Sequence, residues 1–241
     1  MPGDAVLDVR IRSKAFASPR GVAREVLRDI TFTAVAGEIL VLLGPSGVGK
    51  STILRIALGL DPAFDGSLRR PGGRIGVMFQ EPRLLPWLTV ADNLTLVRPD
   101  GPPVLDIAAL LEHVLLPPVA KLLPSELSVG MARRVSLARA LAVDPDTLVL
   151  DEPFASLDIK LAADLGARIA ERVRRRGTLV LLSTHDVDQA LAIASRILVI
   201  ANEPGTLVGD ISIPAGQDAA AITRLRGDLV TRFSFLGRTV S

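Results

Sequence analysis

Apolar and basic residues alternate through LDVRIRSKAF, residues 7–16, as in a strand with one face in solvent. VLRDITFTAVAGE, residues 26–38, predicts a second strand closed by a glycine turn. EILVLL, residues 38–43, lacks alternation, as expected of a strand buried on both faces. Beyond it Ile53, Leu54, Ala57 and Leu58 recur at helical spacing, so this part of the chain reads as strand, glycine-rich loop and helix.

Four more short apolar runs follow: RIGVMF at 74–79, TLVLD at 147–151, TLVLLSTH at 178–185 and RILVIAN at 196–202. Helical patterns separate the later ones: MARRVSLARALA, IKLAADLGARIAERVRRRG and DVDQALAIA. Apolar strands alternating with helices predict a mostly parallel sheet covered on both faces. The arginines 174–176 followed by Gly177 are a helix stop. Residues 81–143 break the rhythm with the Pro- and Leu-rich stretches EPRLLPWL, RPDGPPVL and LLPPVAKLLP. They hold no convincing buried strand and read as a mainly helical insertion between two strands. The last thirty or so residues are polar and dotted with glycine, a peripheral hairpin and helix. No internal repeat is evident.

Composition narrows the class. The chain has 241 residues, which suits one core with an inserted subdomain. Hydrophobic residues make up 49% and mean hydropathy is +0.40. Charges nevertheless interrupt each apolar stretch before the roughly 18 residues of a membrane span. No basic-apolar-small segment opens the sequence, so the expectation is a soluble, cytoplasmic protein linked to membranes only through a partner. There are no cysteines, which excludes disulfides and thiolate metal sites. Net charge is +2 and pI about 9.5, weak support for nucleic-acid binding. The basic run at 172–176 reads as a solvated helix end favoured by the dipole.

The loop after the third strand carries the chemistry. Gly44, Pro45, Ser46, Gly47, Val48, Gly49, Lys50 and Ser51 fit G-x-x-x-x-G-K-[ST], with Thr52 next. Glycines let backbone N–H groups turn inward as a nest for anions, and the following helix aims its positive end at the same point. Lys50 can reach the β- and γ-phosphates and the Ser51 hydroxyl can ligate Mg²⁺. LVLDEP then puts Asp151 and Glu152 at the end of an apolar strand, where side chains of a parallel sheet face the ligand crevice. An aspartate there can hold Mg²⁺, and a glutamate beside it can orient and polarise an attacking water.

Five motifs in order resemble the nucleotide-binding subunits of ATP-binding cassette (ABC) transporters. They are the P-loop at 44–52, VMFQEP with Gln80, ELSVGMARRVSLARAL at 126–141, LVLDEPFASLD at 148–158, and STHD with His185. The resemblance runs from about residue 7 to residue 200. It implies a P-loop NTPase fold of α/β class: a three-layer core with a mostly parallel sheet, an N-terminal antiparallel β element and an inserted helical subdomain. On that reading residues 1–80 and 144–241 form the ATP-binding core and residues 81–143 the helical subdomain.

The resemblance also implies roles. Phe16 stacks on adenine. Gln80 approaches Mg²⁺ and the attacking water. Asp151 serves the metal, Glu152 acts as general base, and His185 hydrogen-bonds the γ-phosphate. Asp158 contacts a second subunit packed head to tail, and Ser128, Gly130 and the N–H groups beside them cap the γ-phosphate across that interface. The family's usual L-S-G-G-Q reads here Leu127-Ser128-Val129-Gly130-Met131. Valine is harmless there if the backbone is ordinary, and weakens the cap if a positive φ is needed.

The stretch EPRLLPWLTVADNL is similar to importers of nitrate, sulfonates and taurine. It offers Leu84, Leu85, Pro86 and Trp87 as an apolar cluster for a permease. The implied protein is the ATP-hydrolysing subunit of an importer, a homodimer at the cytoplasmic face of the cell membrane. Its partners are integral-membrane permease subunits and, indirectly, a solute-binding protein, and its cofactors are ATP and Mg²⁺. The competing reading is a soluble ABC ATPase acting on nucleic acid, ribosomes or cluster assembly. The single cassette, the lack of a long coiled-coil insertion and the lack of a basic, aromatic-interleaved groove speak against it.

Overall fold

The computed structural model describes residues 5–17, 21, 23–70, 72–97 and 106–237. The proline-rich RPDGPPVL stretch, residues 98–105, lies outside these residues, as do the outermost residues of the predicted domains. The elements run β1 (Ala5–Phe16), β2 (Arg24–Val35), β3 (Ile39–Leu43), α1 (Lys50–Ala57), β4 (Asp65–Arg69), β5 (Ile75–Met78), α2 (Val90–Thr95) and α3 (Ile107–His113). After a 3₁₀ turn (Pro124–Glu126) come α4 (Val129–Ala142), β6 (Thr147–Asp151), α5 (Ile159–Arg176), β7 (Leu179–Thr184), α6 (Val187–Ile193), β8 (Arg196–Ala201), β9 (Thr206–Ser212) and α7 (Ala219–Arg232).

Six strands form one sheet in the order β5-β6-β7-β3-β8-β9. It is parallel except for β9, which returns antiparallel to β8. The solid apolar runs follow from burial on both faces. Leu40 and Leu42 of β3 join the cluster under α1, with Leu181 and Leu198, whereas Ile39, Val41 and Leu43 join the cluster under the helices of the other face. A second sheet, β2-β1-β4, is antiparallel and covers α1 from outside. Of the described elements β4 alone was not anticipated. Its sequence DGSLR is short, polar and solvent-facing, and only pairing with β1 makes it a strand.

Between β5 and β6 the described residues hold helices and turns and no strand. The second half of α4 is docked on the sheet. A Cβ at Gly76 would stand 2.1 Å from the Ala140 carbonyl oxygen, so backbone meets backbone there. The arginine run at the end of α5 is exposed over 174–176, as expected, but it also carries ion pairs that were not foreseen. Arg172 and Arg176 both bind Asp144, at 2.7 and 3.4 Å, and Arg74 joins them at 3.2 Å. Gly177 closes the helix in the left-handed conformation, as expected.

The alternation of β1 slips. Leu7, Val9 and Ile11 face inward, but the next buried side chain is Lys14, only 3% exposed. Opposite this point Asp29 has φ of 51°, and Leu27 and Ile30 both point inward, three residues apart. The pairing with β4 also shifts between Ile11 and Ser13. Such irregularities re-aim the side chains that follow them.

Gly76→Ala should destabilise the fold by about 2 kcal/mol through backbone overpacking, read as a lowered urea midpoint. A second expectation concerns pH. The Arg172 hydrogen bond holds the Asp144 carboxyl below the usual carboxylate range. A depressed carboxylate contributes stability above its unfolded pKa and loses it as pH falls through the folded value. Asp144→Asn should therefore flatten the acid limb of a stability-versus-pH curve, with the difference from the parent greatest near neutrality.

Candidate active site

The ends of β3, β6 and β7 lie side by side, because the parallel register pairs Leu43 with Thr184 and Asp151 with Ser183. The chain leaves β3 through Gly44, where a Cβ would stand 2.2 Å from the Ile200 carbonyl oxygen. Gly47 and Gly49 take φ of 79° and 107°, and a Cβ at Gly49 would press within 2.5 Å of the Leu27 side chain. Val48 is buried, while Pro45 and Ser46 are exposed. The loop wraps Lys50, whose Nζ donates to the carbonyls of Gly44 and Pro45 at 2.7 and 2.8 Å. Burial pushes the Lys50 pKa below its ordinary value, and the nearby Glu152 and Asp151 carboxylates oppose that shift. Gly49 caps α1 with no side-chain acceptor for the first-turn N–H groups. Ser51 and Thr52 follow in that turn, half-buried.

A chain of hydrogen bonds sets the acidic pair. Ser183 Oγ donates to Asp151 Oδ1 at 2.5 Å and accepts from the Glu152 N–H at 3.1 Å. The same N–H reaches the Ser183 carbonyl at 3.2 Å, and Arg133 of α4 donates to the Glu152 carbonyl at 3.2 Å. These contacts hold Glu152 at φ 50°, a strained value for a residue with a Cβ. Glu152 Oε1 then lies 3.4 Å from His185 Nδ1. Lys50, Asp151, Glu152 and His185 are thus brought to one place.

Other expected residues stand further off. Gln80 lies two residues beyond β5, the strand next to β6, and is exposed. Arg139 fixes the segment after it by donating to the Pro82 and Arg83 carbonyls, both at 2.8 Å. Ser128 caps α4, accepting from the Met131 N–H at 3.2 Å, and Asp158 caps α5, accepting from the Leu161 N–H at 2.9 Å. Among the described residues no hydrogen bond or ion pair joins Ser128, Gly130 or Asp158 to the phosphate loop. Val129 takes the first helical position of α4 without a positive φ and is 68% exposed, so the backbone there is ordinary and valine is unstrained. Phe16 ends β1 and is 43% exposed. The expected apolar cluster at 84–87 divides. Leu84 packs against the core, whereas Trp87 is 71% exposed. Buried Asn93 shapes this loop through the Leu85 N–H and the carbonyls of Leu85, Leu88 and Thr89.

Sequence reasoning missed the linking roles of Ser183 and Arg133. Ser183 was visible only as the first letter of STHD, and its partner across the sheet follows from register.

A sheet covered on both faces, with a lysine-bearing phosphate loop and an acidic pair at adjacent strand ends, defines a P-loop nucleoside-triphosphatase core. The chain belongs to the ABC transporter family, whose description matches residues 27–155. It is 40% identical to the aliphatic sulfonates import ATP-binding protein SsuB 2 of Pseudomonas syringae pv. tomato over 229 residues, 93% of this chain and 97% of that protein. It is also 40% identical to SsuB 1 of Pseudomonas syringae pv. syringae over 232 residues, 95% of this chain and 96% of that protein. SsuB 2 of Burkholderia cenocepacia is 42% identical over 222 residues, 88% of this chain and 80% of that protein. The fold matches the dimeric structure of MJ0796, a bacterial ABC transporter cassette, with TM-score 0.78 and 24% identity over 87% of this chain and 99% of that one. A post-hydrolysis state of the same cassette bound to ADP and Pi matches with TM-score 0.74 and 24% identity over the same shares.

Ser183→Ala should leave the ATP KM near its parent value and lower kcat about tenfold to a hundredfold, because it frees both carboxylate-bearing residues from their set positions. Steady-state phosphate release against ATP concentration separates the two parameters.

Proposed function

We propose that this chain is the ATP-hydrolysing subunit of an importer for aliphatic sulfonates, working as a head-to-tail pair beneath a membrane permease at the cytoplasmic face. The observation that carries the hydrolytic part is the convergence of buried Lys50 with Asp151, Glu152 and His185. The importer part rests on the names of relatives about 40% identical over nearly the whole chain. No helix among the described residues is long and apolar enough to cross a membrane, so the proposed attachment runs through the permease.

In this reading the loop amides from Gly44 to Thr52 and the first turn of α1 cradle the phosphates, and the Lys50 ammonium balances their charge. Mg²⁺ fits the donor set. Ser51 and Asp151 offer hard oxygens, and among the described residues no cluster of three or more His, Cys, Asp or Glu forms a cage. A site with few protein ligands, completed by substrate phosphates and water, is what this ion prefers. When bound, the ion neutralises phosphate charge. Asp151, oriented by Ser183, would serve it together with Gln80. Glu152, set beside His185, would accept the proton of the attacking water, and His185 would donate to the γ-phosphate. Phe16 would stack on the adenine.

Ser128, Gly130 and the start of α4 would cap the γ-phosphate of the partner subunit, with Asp158 at the same interface. ATP then holds the pair closed, and hydrolysis lets it open. Exposed Trp87, on the loop shaped by Asn93, presents an aromatic anchor to the permease.

Glu152→Gln should lower ATP turnover at least about a hundredfold while keeping ATP binding. It should accumulate dimers in ATP, seen by light scattering. For the transport assignment, the chain is reconstituted with its host permease and binding protein. ATPase stimulation by an alkanesulfonate-loaded binding protein is the expected result. Capture of ribosomal or DNA-repair proteins with no membrane partner would contradict it.

A further inference from the structure

Lys14 is a buried cation outside the phosphate loop and the acidic pair. The slip in β1 turns it inward, where it is 3% exposed. Its Nζ donates to Asp61 Oδ1 at 2.6 Å and to the Ala63 carbonyl at 2.7 Å, on the segment that leaves α1. Asp61 is itself mostly covered, with 17% of its side chain exposed. The same Nζ lies 4.5 Å from the centroid of the Phe16 ring. Across the β1–β2 ladder Lys14 pairs with Leu27, whose side chain lies against Gly49 of the phosphate loop. Lys14 is thus linked through Leu27 to the phosphate loop on one side, and on the other its ammonium lies against one face of the Phe16 ring.

We infer that Lys14, anchored by Asp61, is a positioning residue for base recognition: it holds Phe16 against one ring face and leaves the other face to the adenine of ATP. The inference rests on the reading of Phe16 as the base-stacking residue. Burying a lone ammonium is costly, so Lys14 persists here only because Asp61 and the Ala63 carbonyl satisfy it. That anchor leaves it little freedom, and a ring held by a fixed cation is fixed in turn. An ammonium on one face also draws π density from the ring, which eases stacking of an electron-rich purine on the other. The Lys14 ammonium is committed to Asp61, the Ala63 carbonyl and the Phe16 ring, so its influence should follow the base and not the triphosphate.

The test compares two probes on the full-length chain, ATP and inorganic tripolyphosphate, by calorimetric titration with Mg²⁺. Phe16→Ala should weaken ATP binding and leave tripolyphosphate unchanged. Lys14→Met should weaken ATP about threefold to tenfold and leave tripolyphosphate unchanged. Lys14→Arg should recover much of the loss, and Lys14→Met added to Phe16→Ala should weaken ATP no further. Should Lys14→Met fail to fold, the double variant Lys14→Met/Asp61→Leu removes both charges together, and the same pattern is expected of it. Equal losses for both probes would show a merely structural role and overturn the inference. So would ATP affinity unchanged by Lys14→Met while Phe16→Ala lowers it. ATP affinity unchanged in Phe16→Ala would overturn the Phe16 reading itself, and the inference with it.

Discussion

Keeping a lysine charged in a nearly dry place is the constraint on which the rest of this site depends. Lys50 is buried at the foot of α1, and burial alone works against its positive charge. Two loop carbonyls and two nearby carboxylates counter that cost. Each has a structural requirement. The carbonyls of Gly44 and Pro45 can turn back onto Nζ only in a loop that passes Ile200 without a side chain and then adopts left-handed conformations at Gly47 and Gly49. The carboxylates are near only because β6 lies one strand from β7 and β7 one strand from β3. The sheet order, the loop glycines and the acidic pair thus answer one electrostatic demand.

That arrangement also explains how the helical segment is tied to the chemistry. Arg133 of α4 reaches the Glu152 carbonyl, and Arg139 of the same helix holds the chain just past Gln80. The start of this helix is Ser128, which in the proposed dimer serves the partner's nucleotide. In that proposed dimer one helix would link Glu152 of one site with the cap on the other. Its far half is locked to the sheet at Gly76, so it is coupled to the core by backbone contact as well as by these arginines.

Much of this was legible in the amino-acid order, and the omissions share a cause. The buried strands β3, β6, β7 and β8 were readable because burial on both faces leaves unbroken apolar runs. The phosphate loop was readable because its glycines, lysine and serine are contiguous. By contrast β4 is defined by its pairing with β1, and Ser183 acquires its role only when register puts it opposite Asp151. Lys14 looked like a solvent-facing member of an alternating strand, yet the irregularity opposite Asp29 turned it into the core. The arginines at the end of α5 are exposed as they looked, but their pairing with Asp144 could not be foreseen because Asp144 is distant in sequence. Local pattern reports burial and turn chemistry, and pairing between distant segments leaves no local trace.

In the proposed function the buried Lys50 charge is maintained to receive triphosphate. Calorimetric titration of Mg–ATP into the parent chain and into Lys50→Met tests it most directly, with urea unfolding as a check that both are folded. The variant should keep its fold, since an apolar side chain relieves the desolvation cost, and lose ATP affinity by about tenfold or more. Equal affinity in the two folded proteins would contradict it.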